Sequence, residues 1–158
     1  IDVNNALNGD GPFSPERTGS LPVSGLAKLC FSQKYTLPEI LKHLTGKGGM
    51  VAYLGTNNAK DVEDKAAAGD EEYKKVYEAM AYQIAKEVGA AATVLCGKID
   101  AILVTGGLAY SDMLNEWLKE RVAFLAPIKI YPGEDEMQAL AESVYYSYIG
   151  EIEVKVYK

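Results

Sequence analysis

Cysteine is scarce in this sequence, and the two present, Cys30 and Cys96, stand far apart without any CxxC or Cys/His spacing. Neither a disulfide framework nor a zinc site is indicated, and a reducing, cytoplasmic setting fits. The single histidine, His43, lies beside Lys42 on a helical stretch, with no Ser, Asp or Cys near it to suggest a catalytic triad. Basic residues are outnumbered, 16 Lys and Arg against 22 Asp and Glu, for a net charge of -6. That balance disfavours nucleic acid, because phosphate-backbone binding needs a face rich in Lys and Arg. Long hydrophobic runs are missing as well. The longest, residues 88–96, is broken by Gly97, Lys98 and Asp100, well short of the about 20 residues that a membrane span needs. No secretory signal opens the chain, and no repeat or low-complexity segment interrupts it.

What is present is an ordinary globular composition, 48% hydrophobic and 24% charged over 158 residues, enough for one domain with a real core. The chain starts at Ile1 with "IDVNNALNGDG", which reads as a strand end feeding a loop and as a piece of something larger. Residues 4–22 are punctuated by Gly and Pro without periodicity and read as a long ordered loop. Helices are expected from Ser24 and from Thr36, the latter with Glu39 completing a capping box and Gly46 as its stop. Residues 48–55, "GGMVAYLG", read as a short strand or extended link. Asn57 or Asn58 caps a helix through Ala68. The longest helix starts at Asp70 and buries Tyr73, Val76, Tyr77, Met80, Ile84, Val88, Ala91 and Leu95 before its stop at Gly97. A βαβ unit follows: a buried parallel strand at 101–105, a helix from Ser111 with Leu114, Trp117, Leu118, Val122 and Leu125 inward, and a strand at 128–131. A last helix places Met137, Leu140, Ala141, Val144, Tyr148 and Ile149 on its core side, with the Tyr145, Tyr146 and Tyr148 group as core and rim packing. Ile152, Val154 and Val156 alternate with charges as a small edge strand.

Three places carry candidate chemistry. Gly106-Gly107 lies at the carboxyl end of a parallel strand, where α/β folds place ligands, and the helix after it offers free N–H groups to an anion. The same pair also serves as a plain turn, since glycine meets any positive-φ requirement. It is not a dinucleotide fingerprint, because Leu108 stands where the second glycine belongs. Nor is "GKG" at 46–48 a Walker A loop, because Leu41 stands where the first glycine belongs and Gly48 replaces the hydroxyl residue. Arg17, between Pro15 and Gly19, either clamps a phosphoryl or carboxylate group or pairs at the surface with Glu16 or Asp10. Glu134, Asp135 and Glu136 either approach Mg²⁺ beside substrate phosphates or decorate a helix dipole.

Five segments taken together, "DVNNALNGDGPFSPERTGSLP", "GKGGMVAYLGTNNAKDVE", "AGDEEYKKVYEAMAYQIAKEVGA", "DAILVTGGLAYSDMLNEWLKERV" and "APIKIYPGEDEMQALAE", resemble the C-terminal half of butyrate kinases, in the family's order and over nearly the whole chain. These kinases are similar to acetate kinases and group with sugar kinases, Hsp70 and actin. The resemblance implies an α/β, ribonuclease-H-like domain, incomplete at its N-terminal strands, that supplies the nucleotide-binding half of a two-domain kinase. It implies ATP and Mg²⁺ as cofactors and butyrate or a related short-chain fatty acid as the acceptor. Gly106 and Gly107 then approach the nucleotide. Arg17 matches the arginine that acetate kinases carry in a TRSG motif to stabilise the transferring phosphoryl group. Asn57, Asn58 and Lys60 fall on one wall of the adenine pocket, although most butyrate kinases read Asp-Ala-Arg where this chain reads Asn58-Ala59-Lys60. The acidic residue near Mg²⁺ is Glu134, Asp135 or Glu136, and counting from Pro132 favours Asp135. The phosphate loop, a His-x-Gly-Gly-Gly segment and the catalytic aspartate are expected upstream of Ile1 in the missing N-terminal domain. These 158 residues alone are therefore expected to be inactive. A reading of another class, a non-catalytic nucleotide-binding or assembly module, would use the helix at 70–96 as its interface, and a homo-oligomer is compatible with either.

Overall fold

The computed structural model describes residues 2–155. Along the chain come α1 (Val23–Cys30), α2 (Leu37–Thr45), α3 (Gly49–Leu54), α4 (Ala59–Ala67), α5 (Glu71–Val94), β1 (Ile102–Gly106), α6 (Asp112–Val122), β2 (Ile128–Pro132) and α7 (Glu136–Tyr148). Short 3-10 turns occupy Ala6–Asn8 and Gly107–Tyr110. Local capping decides where most helices begin. The Glu39 carboxylate accepts from the Thr36 backbone N–H at 2.7 Å and from its hydroxyl at 2.8 Å. Asn58, not Asn57, caps α4, its Oδ1 accepting from the N–H groups of Lys60 and Asp61. Asp70 does the same for Glu72 and Tyr73 at the start of α5, and the Ser111 hydroxyl accepts from Leu114 N–H at the start of α6. Each satisfies donors that the first turn of a helix leaves without a partner.

α5 is the central element, about 36 Å long at 1.5 Å per residue, with α4 and α6 packed along it. Tyr77, Met80, Ala81 and Ala85 from α5 meet Val62 from α4, Leu114, Leu118 and Val122 from α6, and Phe13 and Met50 from the N-terminal region. Much of its apolar face is thereby spent inside the fold, while Tyr82, Val94 and the C-cap residue Leu95 remain exposed. At the C-terminal end the expected inward residues Ala91 and Leu95 are exposed and Ala92 is buried instead. One residue is about 100° of rotation on a helix, so the buried stripe ends one position round from the expected one.

β1 and β2 pair in parallel, with Ile102 opposite Ile128 and Gly106 opposite Pro132. The expected burial of the first strand is corrected: none of its residues is fully buried, and one face is half-buried. Ile102 and Val104 turn toward α5 and α6, whereas Leu103 is 62% exposed, because among the described residues nothing covers the other face.

Four further expectations are corrected. Residues 49–54 form helix α3, neither a strand nor a link. Ser24 lies inside α1, whose N-cap position is Pro22. α7 has no buried residue: Met137 is 81% and Tyr148 88% exposed, and Leu140, Val144, Tyr145 and Ile149 are also exposed. The tyrosine group therefore packs no core, although the Tyr145 and Tyr146 rings meet edge to face at 5.6 Å. The periodicity of α7 is real, but its apolar stripe finds no partner within the described residues. Residues 151–155 carry no strand and are exposed, and Val156 lies outside the described residues. No helix among the described residues is long and apolar enough to cross a membrane.

Candidate active site

The loop bearing Arg17 is held by its backbone. Ser14 N–H donates to the Arg17 carbonyl at 3.0 Å, and Arg17 N–H donates to the Ser14 hydroxyl at 3.2 Å. The first N–H groups of α3 donate to this loop: Gly48 to the Glu16 carbonyl, Met50 to Ser14 and Val51 to Pro15. Phe13 anchors the other end, its ring in the core and its N–H donating to Gln83 Oε1 on α5 at 3.0 Å. Neither surface pairing expected for Arg17 occurs. Glu16 instead accepts from Asn57 Nδ2 at 3.2 Å, and no ion pair among the described residues involves Arg17. Arg17 is half-buried on a rigid loop, and Asn57 braces that loop.

Gly106 and Gly107 differ. Gly106 has φ +83° and needs to be glycine for the turn alone. Gly107 has no such requirement, and a Cβ on it would meet nothing within 4 Å. The fold does not explain Gly107, so the functional question narrows to it. It lines a cavity of about 140 Å³ with Leu108, Tyr110 and Ser111 on one side and Ala59, Lys60 and Glu63 of α4 on the other. Lys60 and Gly107, expected to serve one nucleotide, thus come together. The Lys60 ammonium is bound to Asp64 at 2.6 Å, which raises its pKa, and its side chain borders the cavity. Asn58 is committed to capping.

The expectation of free N–H groups at the start of α6 is corrected. Leu114 N–H is taken by the Ser111 hydroxyl and Met113 N–H by Glu63 Oε1 at 3.4 Å. Of the N–H groups at the start of α6, those of Met113 and Leu114 are thus already engaged.

Gly106 and Gly133 exchange two backbone hydrogen bonds, Gly106 N–H to the Gly133 carbonyl at 3.1 Å and the reverse at 3.2 Å. This clasp brings the acidic trio to the strand ends. Gly106, Glu134, Asp135 and Glu136 border a second open cavity, and a Cβ on Gly106 would lie 3.4 Å from Glu134 Oε1. Among the described residues no three acidic, His or Cys side chains converge on one point. The donor set suits a cation held by one or two carboxylates and completed by phosphate oxygens, not an all-protein cage. Arg17 lines neither cavity.

Three residues that the sequence left out shape the site. Tyr77, placed in the core by its spacing, also borders the Gly107 cavity. Burial raises the pKa of its phenol, with the Ser111 hydroxyl opposing and the Glu63 charge adding. Asn115 on α6 is buried and donates to the Ala109 carbonyl at 2.9 Å, bracing the 3-10 turn that holds Gly107. Glu63 reaches across from α4 to Ser111. Helical phase marks Asn115 as a polar residue on a core face. Nothing local marks its partner.

The sequence profile of the Acetokinase family matches residues 11–141. "Butyrate kinase 2" of Clostridium acetobutylicum is 58% identical over all 158 residues, and "Probable butyrate kinase" of Clostridium botulinum is 53% identical over 157. The chain spans 44% of the length of each. Among solved structures, a propionate kinase from Francisella tularensis aligns over 73% of this chain and 30% of its own, at 26% identity and a TM-score of 0.65. An acetate kinase of Porphyromonas gingivalis aligns over 86% of this chain and 41% of its own, at 18% identity and a TM-score of 0.74. The α/β fold with its small parallel sheet is thus that of acetate and propionate kinases, the actin-like ATPase fold. By a profile match over most of its residues, the chain belongs to the acetokinase family.

Proposed function

We propose that residues 1–158 are the C-terminal nucleotide-binding domain of a kinase that transfers the γ-phosphoryl group of ATP to butyrate, reversibly giving butanoyl phosphate and ADP. The observation that carries this reading is the 58% identity, over the whole chain, to a protein named butyrate kinase. The base and ribose of ATP enter the Gly107 cavity, where Glu63 disfavours phosphate, and the phosphates run past Gly106 toward Glu134, Asp135 and Glu136. Mg²⁺ there, nearest Asp135, would neutralise charge on the phosphates. Arg17 offers a planar fork to two oxygens of the transferring group. A carboxylate oxygen of butyrate attacks the γ-phosphorus, and the bond to the β,γ-bridging oxygen breaks as ADP leaves. No covalent enzyme intermediate is needed.

The test is a hydroxamate assay of the intact kinase with acetate, propionate, butyrate and isobutyrate. Acyl phosphate should form fastest with butyrate as the acceptor. The similarity to a propionate kinase supports a second reading, a kinase for another short or branched acid, which a higher kcat/KM with propionate or isobutyrate would favour. Absence of any acyl phosphate would leave a non-catalytic nucleotide-binding module.

The glycine pair gives a separate check. Gly107→Val puts a branched side chain into open space at the cavity wall, where the fold tolerates it. The KM for ATP should rise about tenfold or more with little change in thermal stability. Unchanged ATP affinity in the folded variant would reduce the pair to a turn.

A further inference from the structure

We infer that Glu63 is a positioning residue that sets the spacing between the two walls of the Gly107 cavity, an inference that rests on reading that cavity as the nucleotide site. Lys60 and Glu63 are three residues apart on α4, and Ala59 and Glu63 four apart, so all three face one side of the helix. All three line the cavity. Val62 and Ala66, on the neighbouring stripe of α4, are buried, Val62 in the core and with Ala59 packed against it, which makes that wall rigid. The other wall is the turn Gly107–Tyr110 followed by Ser111, 48 residues further along the chain than Glu63. Glu63 joins the walls directly: its Oε1 accepts from the Ser111 hydroxyl at 2.8 Å and from Met113 N–H at 3.4 Å. The Ser111 oxygen accepts in turn from Leu114 N–H at 3.0 Å. A carboxylate from one wall thus caps the helix that starts the other, where a negative charge is also favoured by the helix dipole. On its far side the same turn is held by Asn115 through the Ala109 carbonyl. Removing the Glu63 tie leaves the turn held by Asn115 and by the Gly106–Gly133 clasp, with no hydrogen bond from Glu63 to set its distance from α4.

The test measures ATP affinity, turnover, butyrate KM and thermal midpoint in the intact kinase carrying Glu63→Ala, Glu63→Gln, Ser111→Ala or the Glu63→Ala/Ser111→Ala pair. Glu63→Ala should weaken ATP binding roughly tenfold and leave butyrate KM within about twofold, the scale set by a charge-assisted hydrogen bond. Glu63→Gln should recover most of the loss, because an amide oxygen still accepts from Ser111 and Met113. In ATP affinity the double variant should match Glu63→Ala alone, since both remove the same tie, while its thermal midpoint falls further because Ser111→Ala also removes the cap on Leu114 N–H. If Glu63→Ala does not fold, Ser111→Ala carries the same expectation at smaller size. The inference is overturned if Glu63→Gln is as impaired as Glu63→Ala, which would make the charge itself a ligand contact. It is also overturned if Glu63→Ala and Ser111→Ala lower the thermal midpoint while ATP affinity stays normal. Gly107→Val run in parallel separates the two levels. If it weakens ATP binding while the Glu63 and Ser111 variants do not, the positioning role alone fails. If it too leaves ATP affinity unchanged, the cavity is not the nucleotide site and both readings fall.

Discussion

Arg17→Ala in the intact protein is expected, on the proposed kinase function, to lower the turnover number about 10³-fold, the scale of other phosphoryl-transfer arginines, while ATP affinity changes far less. Interactions made mainly in the transition state appear in the rate and not in ground-state binding. A loss of that size corresponds to about 4 kcal/mol of transition-state stabilisation. The loop permits a clean experiment, because its shape does not depend on the side chain being replaced. Both backbone groups of Arg17 bond to Ser14, and the loop carbonyls receive the N–H groups of α3. The thermal midpoint should therefore stay close to that of the parent. Arg17→Lys should remain impaired although the charge is kept, since an ammonium lacks the planar fork that matches two oxygens. Near-normal turnover combined with poor thermal stability would assign Arg17 to holding its loop, and the catalytic role would be withdrawn.

Gly49→Ala should be among the most damaging single substitutions in the chain. Gly49 has φ +55°, and an added Cβ would lie 1.8 Å from the Ser14 carbonyl oxygen and 2.7 Å from that of Arg17. A non-glycine residue in that conformation costs about 1–2 kcal/mol by itself. The overlap is with backbone, so relief requires moving the loop away from α3. That movement breaks the Gly48, Met50 and Val51 hydrogen bonds to it, each a net contribution of about 1 kcal/mol. Together these come to about 4 kcal/mol, at the upper end of single-site effects. Thermal denaturation should show a large drop in midpoint. Turnover measured well below that midpoint should also fall, because Arg17 moves with the loop. A variant with parental midpoint and turnover would show that the loop does not depend on its seat against α3. Gly55→Ala is a useful comparison: it has a similar φ of +73° but open space at the Cβ, so it should cost only the conformational penalty.

The parts of this protein legible in its sequence are those decided within one turn of helix or one strand. Asp70, Ser111 and the Thr36 and Glu39 pair announce helix starts because a side-chain oxygen two or three residues away satisfies a bare N–H. The same rule offered two candidates for α4, and it took the structure to choose Asn58 as cap and turn Asn57 toward Glu16. The parallel strands and the helix between them followed from apolar runs and period, and the family resemblance from five ordered segments. Tertiary structure decided the rest wherever the partner group comes from far along the chain. α3 reads as extended in isolation and is helical because carbonyls of residues 14–16 receive its first N–H groups. α7 has an amphipathic pattern that predicts burial, yet burial depends on a surface to cover it and none of the described residues supplies one. Gly106 and Gly107 look alike as letters, and only their φ angles and surroundings separate a turn requirement from an open cavity wall. Glu63 and Ser111 carry no mutual signal across 48 residues, since a hydrogen bond between distant segments leaves no periodicity in the sequence and exists only once both helices are packed on α5.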